Sequence, residues 1–278
     1  MTPRTLRDQA ELFRRLHQGP AILVLPNAWD VASARVLEQA GFPALATSSA
    51  GVAWALGYAD GERITRGEML EMVARIAARV RVPLTADMEA GYRPGPEAAA
   101  ETARGVIAAG AVGLNLEDGT NEGRLVDVAL HVERIHAVRE AGRAAGVPLV
   151  INARTDAFEL PALSPAQRFA EAVRRANAYL AAGADCAFVP FVSAHDEIAR
   201  LAREIRGPLN VLGTPAAPPI AELARLGVRR VSVGSGLARA AYGHARRAAV
   251  ELSQAGTYQA LGEGAIGYAE MQRLFGAA

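Results

Sequence analysis

The chain is organised by a regular alternation of short apolar segments with longer amphipathic ones. The apolar segments predict eight buried strands, at residues 22–25, 44–47, 84–88, 113–116, 149–153, 186–189, 209–212 and 230–233, with helices between them. Ala-Gly pairs at 40–41, 109–110 and 182–183 are typical of helix ends that lead into a strand. Eight strands that alternate with helices indicate a parallel sheet joined by right-handed crossovers.

The number of strands and the length of the chain favour a closed barrel. The 278 residues fit a single (β/α)8 TIM barrel, an α/β fold, preceded by a helix at about 5–17. An open, doubly wound sheet is the alternative, but no Gly-x-Gly-x-x-Gly follows the first strand. Residues 255–278 form a C-terminal extension, whose apolar residues between Tyr258 and Phe275 are expected to pack on the barrel or on a neighbouring subunit.

Composition excludes several classes of function. All 30 basic residues are arginine, so lysine Schiff-base chemistry and a Walker-type nucleotide site are excluded. The net charge is only +1, which gives no field to attract nucleic acid or an anionic membrane, and no apolar run is long enough to span a membrane. The single cysteine, Cys186, lies in a predicted strand and is compatible with a cytoplasmic location.

Acidic residues follow two neighbouring predicted strands. Asp87 and Glu89 come at the end of the third strand, and Glu117 and Asp118 end the fourth. Residues i and i+2 of a strand point to the same face, so we expect Asp87 and Glu89 to project together. Converging carboxylates repel one another unless a cation lies between them, which predicts Mg²⁺ or Mn²⁺. The alternative is an ordinary solvated loop, and one residue of Glu117-Asp118 is expected only to begin a polar turn.

Two further strand ends carry candidate substrate-binding groups. Arg154 follows the fifth strand, where it would bind a substrate carboxylate or else pair with Asp156. Ser48, Ser49 and Ala50 follow the second strand in a segment of small residues, whose backbone N–H groups would hold an oxyanion; such loops are also common without function.

Together these motifs resemble the isocitrate lyase/phosphoenolpyruvate mutase superfamily. The resemblance spans about residues 27–234 and is carried by Ser48-Ser49, Gly57-x-x-Asp60, Asp87-x-Glu89-x-Gly91-Tyr92, Leu116-Glu117-Asp118 and Ala153-Arg154-Thr155-Asp156. It implies that Asp60, Asp87, Glu89 and Glu117 surround Mg²⁺ and that Arg154 binds the carboxylate of a 2-oxo acid. It also implies a homodimer or homotetramer in which subunits exchange their last barrel helix.

Two departures from the family pattern bear on the reaction. The lyases of the family carry a Lys-Lys/Arg-Cys-Gly-His segment after the fourth strand, whereas this chain has only the short segment 119–124, in which Asn121 is the candidate catalytic residue. The family's histidine after the sixth strand is Pro190 here.

Three functions therefore remain open. The first is a Mg²⁺-dependent C–C lyase or decarboxylase that acts on a small 2-oxo or dicarboxylic acid through an enolate. The second is a phosphonate mutase or P–C hydrolase, and the third is a 2-oxo-acid binding protein without turnover.

Overall fold

The computed structural model describes residues 4–120 and 122–276, which form a barrel of nine parallel strands. Each strand is hydrogen-bonded to its neighbours in the order β1-β9-β8-β7-β6-β5-β4-β3-β2. The strands are β1 Leu23–Leu25, β2 Asn27–Ala28, β3 Leu45–Thr47, β4 Leu84–Asp87, β5 Gly113–Glu117, β6 Val150–Arg154, β7 Cys186–Val189, β8 Leu209–Leu212 and β9 Arg230–Ser232. The predicted α/β barrel is confirmed.

The ninth strand arises because Pro26 divides the first barrel strand into two. Proline has no N–H to donate to a neighbouring strand. β1 therefore pairs with β9, and β2 pairs with β3. The side-chain amide of Asn27 joins the two sides: its Nδ2 donates to the Thr47 carbonyl at 2.7 Å, and its Oδ1 accepts from the N–H groups of Val233 and Gly234. One side chain thus closes the barrel at the mouth.

Helices surround the barrel. They are α1 Leu6–Gln18, α2 Val31–Gln39, α3 Ser49–Ala55, α4 Arg66–Ala77, α5 Pro96–Ala108, α6 Val128–Ala144, α7 Pro165–Ala181, α8 His195–Glu204, α9 Ile220–Arg225, α10 Gly236–Gln254, α11 Gln259–Gly262 and α12 Tyr268–Phe275. α2 and α4 begin with side-chain caps: Asp30 accepts from the Ser33 N–H, and Thr65 and Glu68 form a capping box. Gly41, Gly110 and Gly183 adopt the left-handed conformation that ends a helix.

The prediction of a loop at residues 48–51 was wrong. Ser48 is the N-cap of α3, and its hydroxyl accepts a hydrogen bond from the Gly51 N–H at 3.2 Å. A Cβ on Gly51 would lie 2.7 Å from Trp29 Cβ, so glycine allows this short helix to pack tightly. The small residues that were predicted to form a loop instead allow this helix to pack closely.

The end of the barrel opposite the mouth is covered by α1. Phe13 and His17 are buried there, and His17 lies 3.4 Å from the guanidinium of Arg230, which is fully buried in the barrel. At the other end of the chain, α12 packs near α2, where Arg35 donates to the Leu274 carbonyl at 2.9 Å. Tyr258 and Tyr268 of the same C-terminal segment are exposed. Within the described residues, no helix combines the length and apolar character needed to cross a membrane.

Candidate active site

A cavity of about 410 Å³ lies at the carboxyl ends of the strands. Ligand sites of parallel barrels form at this end because the βα loops converge there. Of the residues predicted from the sequence, Glu89, Glu117 and Arg154 line this cavity, together with Asp156. Ser48, Ser49, Ala50, Asp60 and Asp87 are not among its lining residues, although Asp87 and Asp60 interact electrostatically with Glu89.

Arg154 lies between acidic groups on the cavity wall. Its Nη1 is 2.8 Å from Glu117 Oε2, and its Nε donates to Asp156 Oδ1 at 2.6 Å. The nearest ion-pair contact of Nη2 is Glu159, at 3.8 Å. The guanidinium also lies 5.8 Å and 5.6 Å from the ring centres of Phe188 and Phe191. The predicted pair with Asp156 therefore exists, and Nη2 keeps donor capacity for a ligand.

Burial dominates the electrostatics of Glu117. Loss of solvent raises the pKa of its carboxyl group well above the ordinary value, although the positive charge of Arg154 opposes this. Asp156 behaves in the same way: burial raises the pKa of its carboxyl group, while Arg154 lowers it. Three carboxylates, of Glu117, Asp156 and Glu159, thus lie around the one guanidinium of Arg154.

Asp87 is fixed by donors on both of its oxygens. Oδ2 accepts from the N–H and the hydroxyl of Ser49, at 3.0 and 2.8 Å, and Oδ1 accepts from Asn115 Nδ2 at 3.1 Å. The N–H of Ser49, which was predicted to donate to an oxyanion, therefore donates to Asp87, and so does the Ser49 hydroxyl. Ser48 and Ala50 are buried beside it in the first turn of α3.

Glu89 does not lie on the strand that carries Asp87, so the prediction that the two side chains share a strand face was wrong. β4 ends at Asp87, and Glu89 has a left-handed backbone with φ of 49°. Its carboxylate, 5% exposed, accepts the N–H of Glu62 at 2.7 Å. Glu62 in turn accepts the N–H of Tyr92 at 2.6 Å. Burial and the nearby charge of Asp87 raise the pKa of Glu89 to about 8.

Backbone strain is concentrated at this mouth. In residues 4–120 and 122–276, the non-glycine residues with positive φ are Glu62, Glu89, Tyr92 and Phe191. The first three are joined by the hydrogen bonds just described, and Phe191 lies against Arg154. Such conformations persist only where the surroundings enforce them, and they are frequent at functional sites.

The acidic set has the donor chemistry that a hard divalent cation requires. Partial burial, and then the charge of Asp87, raise the pKa of Asp60 at the exposed rim. Over the described part of the chain, however, no three carboxylate, imidazole or thiolate groups lie close enough together to bind one metal ion directly. Mg²⁺ is usually held by only one or two carboxylates, with water and substrate as its other ligands. The residues fit an ion held in that way, and they do not form a closed cage of four protein ligands.

Asp118 has a structural role, because its carboxylate is hydrogen-bonded by other residues of the protein. It is fully buried, and its Oδ2 accepts from Tyr179 at 2.6 Å and from Arg175 at 3.1 Å. Its Oδ1 accepts the N–H of Asp156 at 3.0 Å, which ties the ends of β5 and β6 together. Glu117 lines the cavity. Of the two adjacent acids, Glu117 therefore belongs to the site and Asp118 stabilises the fold.

The segment after β5 includes the predicted catalytic residue Asn121, which lies outside the described residues. The neighbouring residues form a tight turn: Thr120 N–H donates to the Arg124 carbonyl at 2.8 Å, and Arg124 pairs with Glu122. Gly119, Thr120, Gly123 and Arg124 line the cavity.

Four residues of this region had no role predicted from the sequence: Glu62, Tyr92, Asn115 and Arg134, of which Tyr92 belongs to a motif that carries the family resemblance. Glu62, Tyr92 and Arg134 line the cavity, and Asn115 orients Asp87. Asn115 and Arg134 do carry a signal, because Asn115 interrupts the apolar strand β5 and Arg134 falls among the apolar positions of α6.

Residues 13–253 match the phosphoenolpyruvate phosphomutase family. A 2-methylisocitrate lyase of Bacillus subtilis (strain 168) is 31% identical over 210 residues, which cover 73% of this chain and 66% of that protein. An oxaloacetate decarboxylase of Bradyrhizobium sp. (strain BTAi1 / ATCC BAA-1182) is 30% identical over 270 residues, or 94% of this chain and 88% of that one. A protein of Burkholderia cenocepacia J2315, described as a lyase or mutase, has a crystal structure that matches with a TM-score of 0.90. The two sequences are 38% identical, and the match covers 98% of this chain and 97% of that one.

Proposed function

Because this chain belongs to the phosphoenolpyruvate mutase/isocitrate lyase superfamily, a family of lyases and mutases, we propose that it cleaves a carbon–carbon bond of a small 2-oxo acid or dicarboxylic acid. The proposed route is that of a lyase or a decarboxylase, with an enolate formed as the bond breaks. The observation that carries the proposal is Arg154 on the cavity wall, held by Glu117 and Asp156 with Nη2 still available.

In this proposal Arg154 binds the carboxylate next to the oxo group. The charge and the fixed orientation of the guanidinium hold the substrate carboxylate in one position. The bond to be cleaved therefore keeps a defined orientation relative to the oxo group. Glu117 and Asp156 act on the substrate through Arg154, because their contacts fix the guanidinium plane. The buried ring of Phe188 supplies an apolar surface beside the guanidinium, which strengthens its interaction with an anion by limiting water there.

Asp87 and Glu89, with Asp60 and Glu117 around them, are the proposed holders of Mg²⁺ or Mn²⁺. When bound, such an ion withdraws electron density from the oxo group and stabilises the negative charge of the enolate. Asp87 is oriented for this role by Ser49 and Asn115. The first turn of α3, at Ser48 to Ala50, was predicted to hold the enolate oxygen; because the N–H and hydroxyl of Ser49 donate to Asp87, its proposed role is to orient that carboxylate.

We also propose that the protein is a homo-oligomer that exchanges its last barrel helix. Support comes from the exposed apolar residues of the C-terminal segment, which include Tyr258, Leu261 and Tyr268. Large apolar side chains exposed together often mark an interface between subunits.

The test is a turnover assay in the presence of Mg²⁺ with oxaloacetate, 2-methylisocitrate and phosphonopyruvate. Pyruvate released from oxaloacetate or 2-methylisocitrate, and lost on chelation of the metal, is the expected result. Conversion of phosphonopyruvate alone would instead establish the P–C reaction, whose candidate residue is Asn121. Metal-dependent binding of pyruvate with no product from any of the three would identify a binding protein.

A further inference from the structure

The loop between α3 and α4, residues 56–65, carries Asp60, one of the proposed holders of the metal ion. Residues 57–60 of this loop are exposed. Exposed loops are the most mobile parts of a fold unless hydrogen bonds attach them to their neighbours. Glu62, two residues after Asp60, supplies such bonds.

Glu62 is hydrogen-bonded twice to the turn that follows β4. Its N–H donates to Glu89 Oε2 at 2.7 Å, and its Oε1 accepts the N–H of Tyr92 at 2.6 Å. In the first bond the loop donates to the turn, and in the second bond the turn donates to the loop. All three residues line the cavity. The loop that carries Asp60 is therefore attached to the turn that carries Glu89.

The backbone of Glu62 indicates that its side chain is needed at this position. Its φ of 53° lies in the left-handed region, which glycine adopts without steric cost. The same loop does have glycine at positions 57 and 61, where φ is 88° and 93°. A strained non-glycine residue persists only where its surroundings hold it, and the bond from the Tyr92 N–H to the Glu62 carboxylate does so.

A buried cation attracts the same carboxylate. Arg134 of α6 is 2% exposed and lines the cavity with Glu62. Burial lowers the pKa of the Arg134 guanidinium, and the negative charge of Glu62 is the largest of the charges that oppose this shift. The Glu62 side chain is thus held by a backbone N–H of the turn and by a charge from the helix that follows β5.

We propose that Glu62 is a positioning residue of the metal site, because it attaches its loop to the turn after β4 and so holds Asp60 in place relative to Glu89. This inference rests on the proposed function, in which both acids help to hold Mg²⁺ or Mn²⁺. Asp60 and Glu89 come from different loops, so their separation depends on this attachment. Residues that orient metal ligands commonly contribute about 10- to 100-fold to the affinity for the ion.

The test measures binding of Mn²⁺ alone, without substrate, from the electron paramagnetic resonance signal of the free ion, and the melting temperature of each variant. Glu62→Ala removes the acceptor for the Tyr92 N–H, whereas Glu62→Gln keeps an acceptor oxygen on a side chain of the same length. Glu62→Gly also removes the acceptor but adopts the left-handed backbone without strain. The matched control is Glu71→Ala, since Glu71 is an exposed glutamate of α4 that pairs with Arg75.

Glu62→Ala should weaken Mn²⁺ binding by about 10- to 100-fold. Glu62→Gln should stay within about five-fold of the wild type, because its amide oxygen accepts the same N–H. Glu62→Gly should bind Mn²⁺ as weakly as Glu62→Ala but melt at a higher temperature, and it keeps the test informative if the alanine variant does not fold. Glu71→Ala should match the wild type in its Mn²⁺ affinity.

A double-mutant cycle tests whether Glu62 acts through Asp60. Asp60→Ala alone should weaken Mn²⁺ binding, and adding Glu62→Ala should weaken it by less than about two-fold more, since the ligand to be positioned is already absent. Full additivity of the two losses would show that Glu62 acts on the ion independently of Asp60, which overturns the inference.

Three further results overturn the inference and leave the proposed function intact. Wild-type Mn²⁺ affinity in Glu62→Ala would show that the side chain does not position the site. Equal losses in Glu62→Gln and Glu62→Ala would make the charge of Glu62 the cause, and not its hydrogen bond. Restored affinity in Glu62→Gly would show that only the backbone conformation matters. A wild type that binds no Mn²⁺ overturns the metal site of the proposed function, and this inference with it.

Discussion

Glu117 and Arg154 are register partners on the adjacent parallel strands β5 and β6, and an ion pair of 2.8 Å joins their side chains on the cavity wall. Each is the last residue of its strand, so the position of the guanidinium depends on the barrel itself and not on a mobile loop. Sites built on strands hold their geometry more closely than sites built on loops.

The first prediction concerns the shape of the Arg154 side chain. Arg154→Lys keeps the charge but loses the planar arrangement of donors that contacts Glu117 and Asp156 and binds a carboxylate. Affinity for pyruvate should fall by about 10- to 100-fold, as measured by calorimetry with Mg²⁺. Arg143→Lys, on the exposed face of α6, is the control and should bind normally. Wild-type affinity in Arg154→Lys would make Arg154 a purely structural residue.

Asp87 is predicted to link ligand binding to the metal. Asp87→Asn keeps the size of the side chain but removes its charge, and Asp87→Ala removes its oxygen ligands as well. In both variants Mg²⁺ should no longer increase the affinity for pyruvate, as followed by the ligand-induced rise in melting temperature. Asp196→Asn, at a fully solvated position of α8, should respond like the wild type. An unchanged Mg²⁺ effect in Asp87→Ala would contradict the site assignment.

Tyr179 should contribute to stability through its buried hydrogen bond to Asp118. Tyr179→Phe removes a donor 2.6 Å from a fully buried carboxylate, which leaves that charge to Arg175 and the Asp156 N–H. We expect a loss of about 1–3 kcal/mol in the free energy of unfolding, measured by urea denaturation. Tyr268→Phe, at a residue that is 81% exposed, should change this free energy by less than about 0.5 kcal/mol. Equal midpoints for the two variants would show that the Asp118 network does not stabilise the fold.

His17 predicts a pH dependence of stability. Burial, and then the charge of Arg230, lower the pKa of His17 from 6.5 to about 4. The imidazole is neutral in the fold, where Nδ1 lies 2.9 Å from the Phe13 carbonyl, and it is protonated below about pH 6.5 in the unfolded chain. The unfolded state therefore binds more protons between about pH 6.5 and 4, so stability falls as the pH falls through this window.

The loss attributable to His17 should reach roughly 3 kcal/mol near pH 4. Urea denaturation at several pH values in this window gives the free energy of unfolding as a function of pH. This free energy should fall less steeply with falling pH for His17→Gln than for the wild type. Burial also lowers the pKa of His131, which contributes in the same direction. Some dependence of the unfolding free energy on pH should therefore remain in His17→Gln. Identical slopes in His17→Gln and the wild type would show that His17 is not neutral in the fold.

Local patterns were enough to predict the barrel. The strands from Leu84, Gly113, Cys186 and Leu209 begin where the apolar runs begin, and the caps at Asp30 and Thr65 are where short-range chemistry places them. The acids and Arg154 could be assigned to one end of the barrel because parallel strands share the direction of their carboxyl ends. These inferences need only neighbours a few residues apart in the sequence.

Tertiary structure decided how those groups are used. The environment of Asp118 is set by Arg175 and Tyr179, which are 57 and 61 residues away along the chain. The left-handed turn at Glu89 is held by Glu62, and the donors of Ser49 are taken up by Asp87. The sequence alone was enough to bring Glu89, Glu117 and Arg154 to the barrel mouth, because the ends of strands follow from local periodicity. Their partners were decided by packing, since contacts between distant segments leave no periodic signal in the chain.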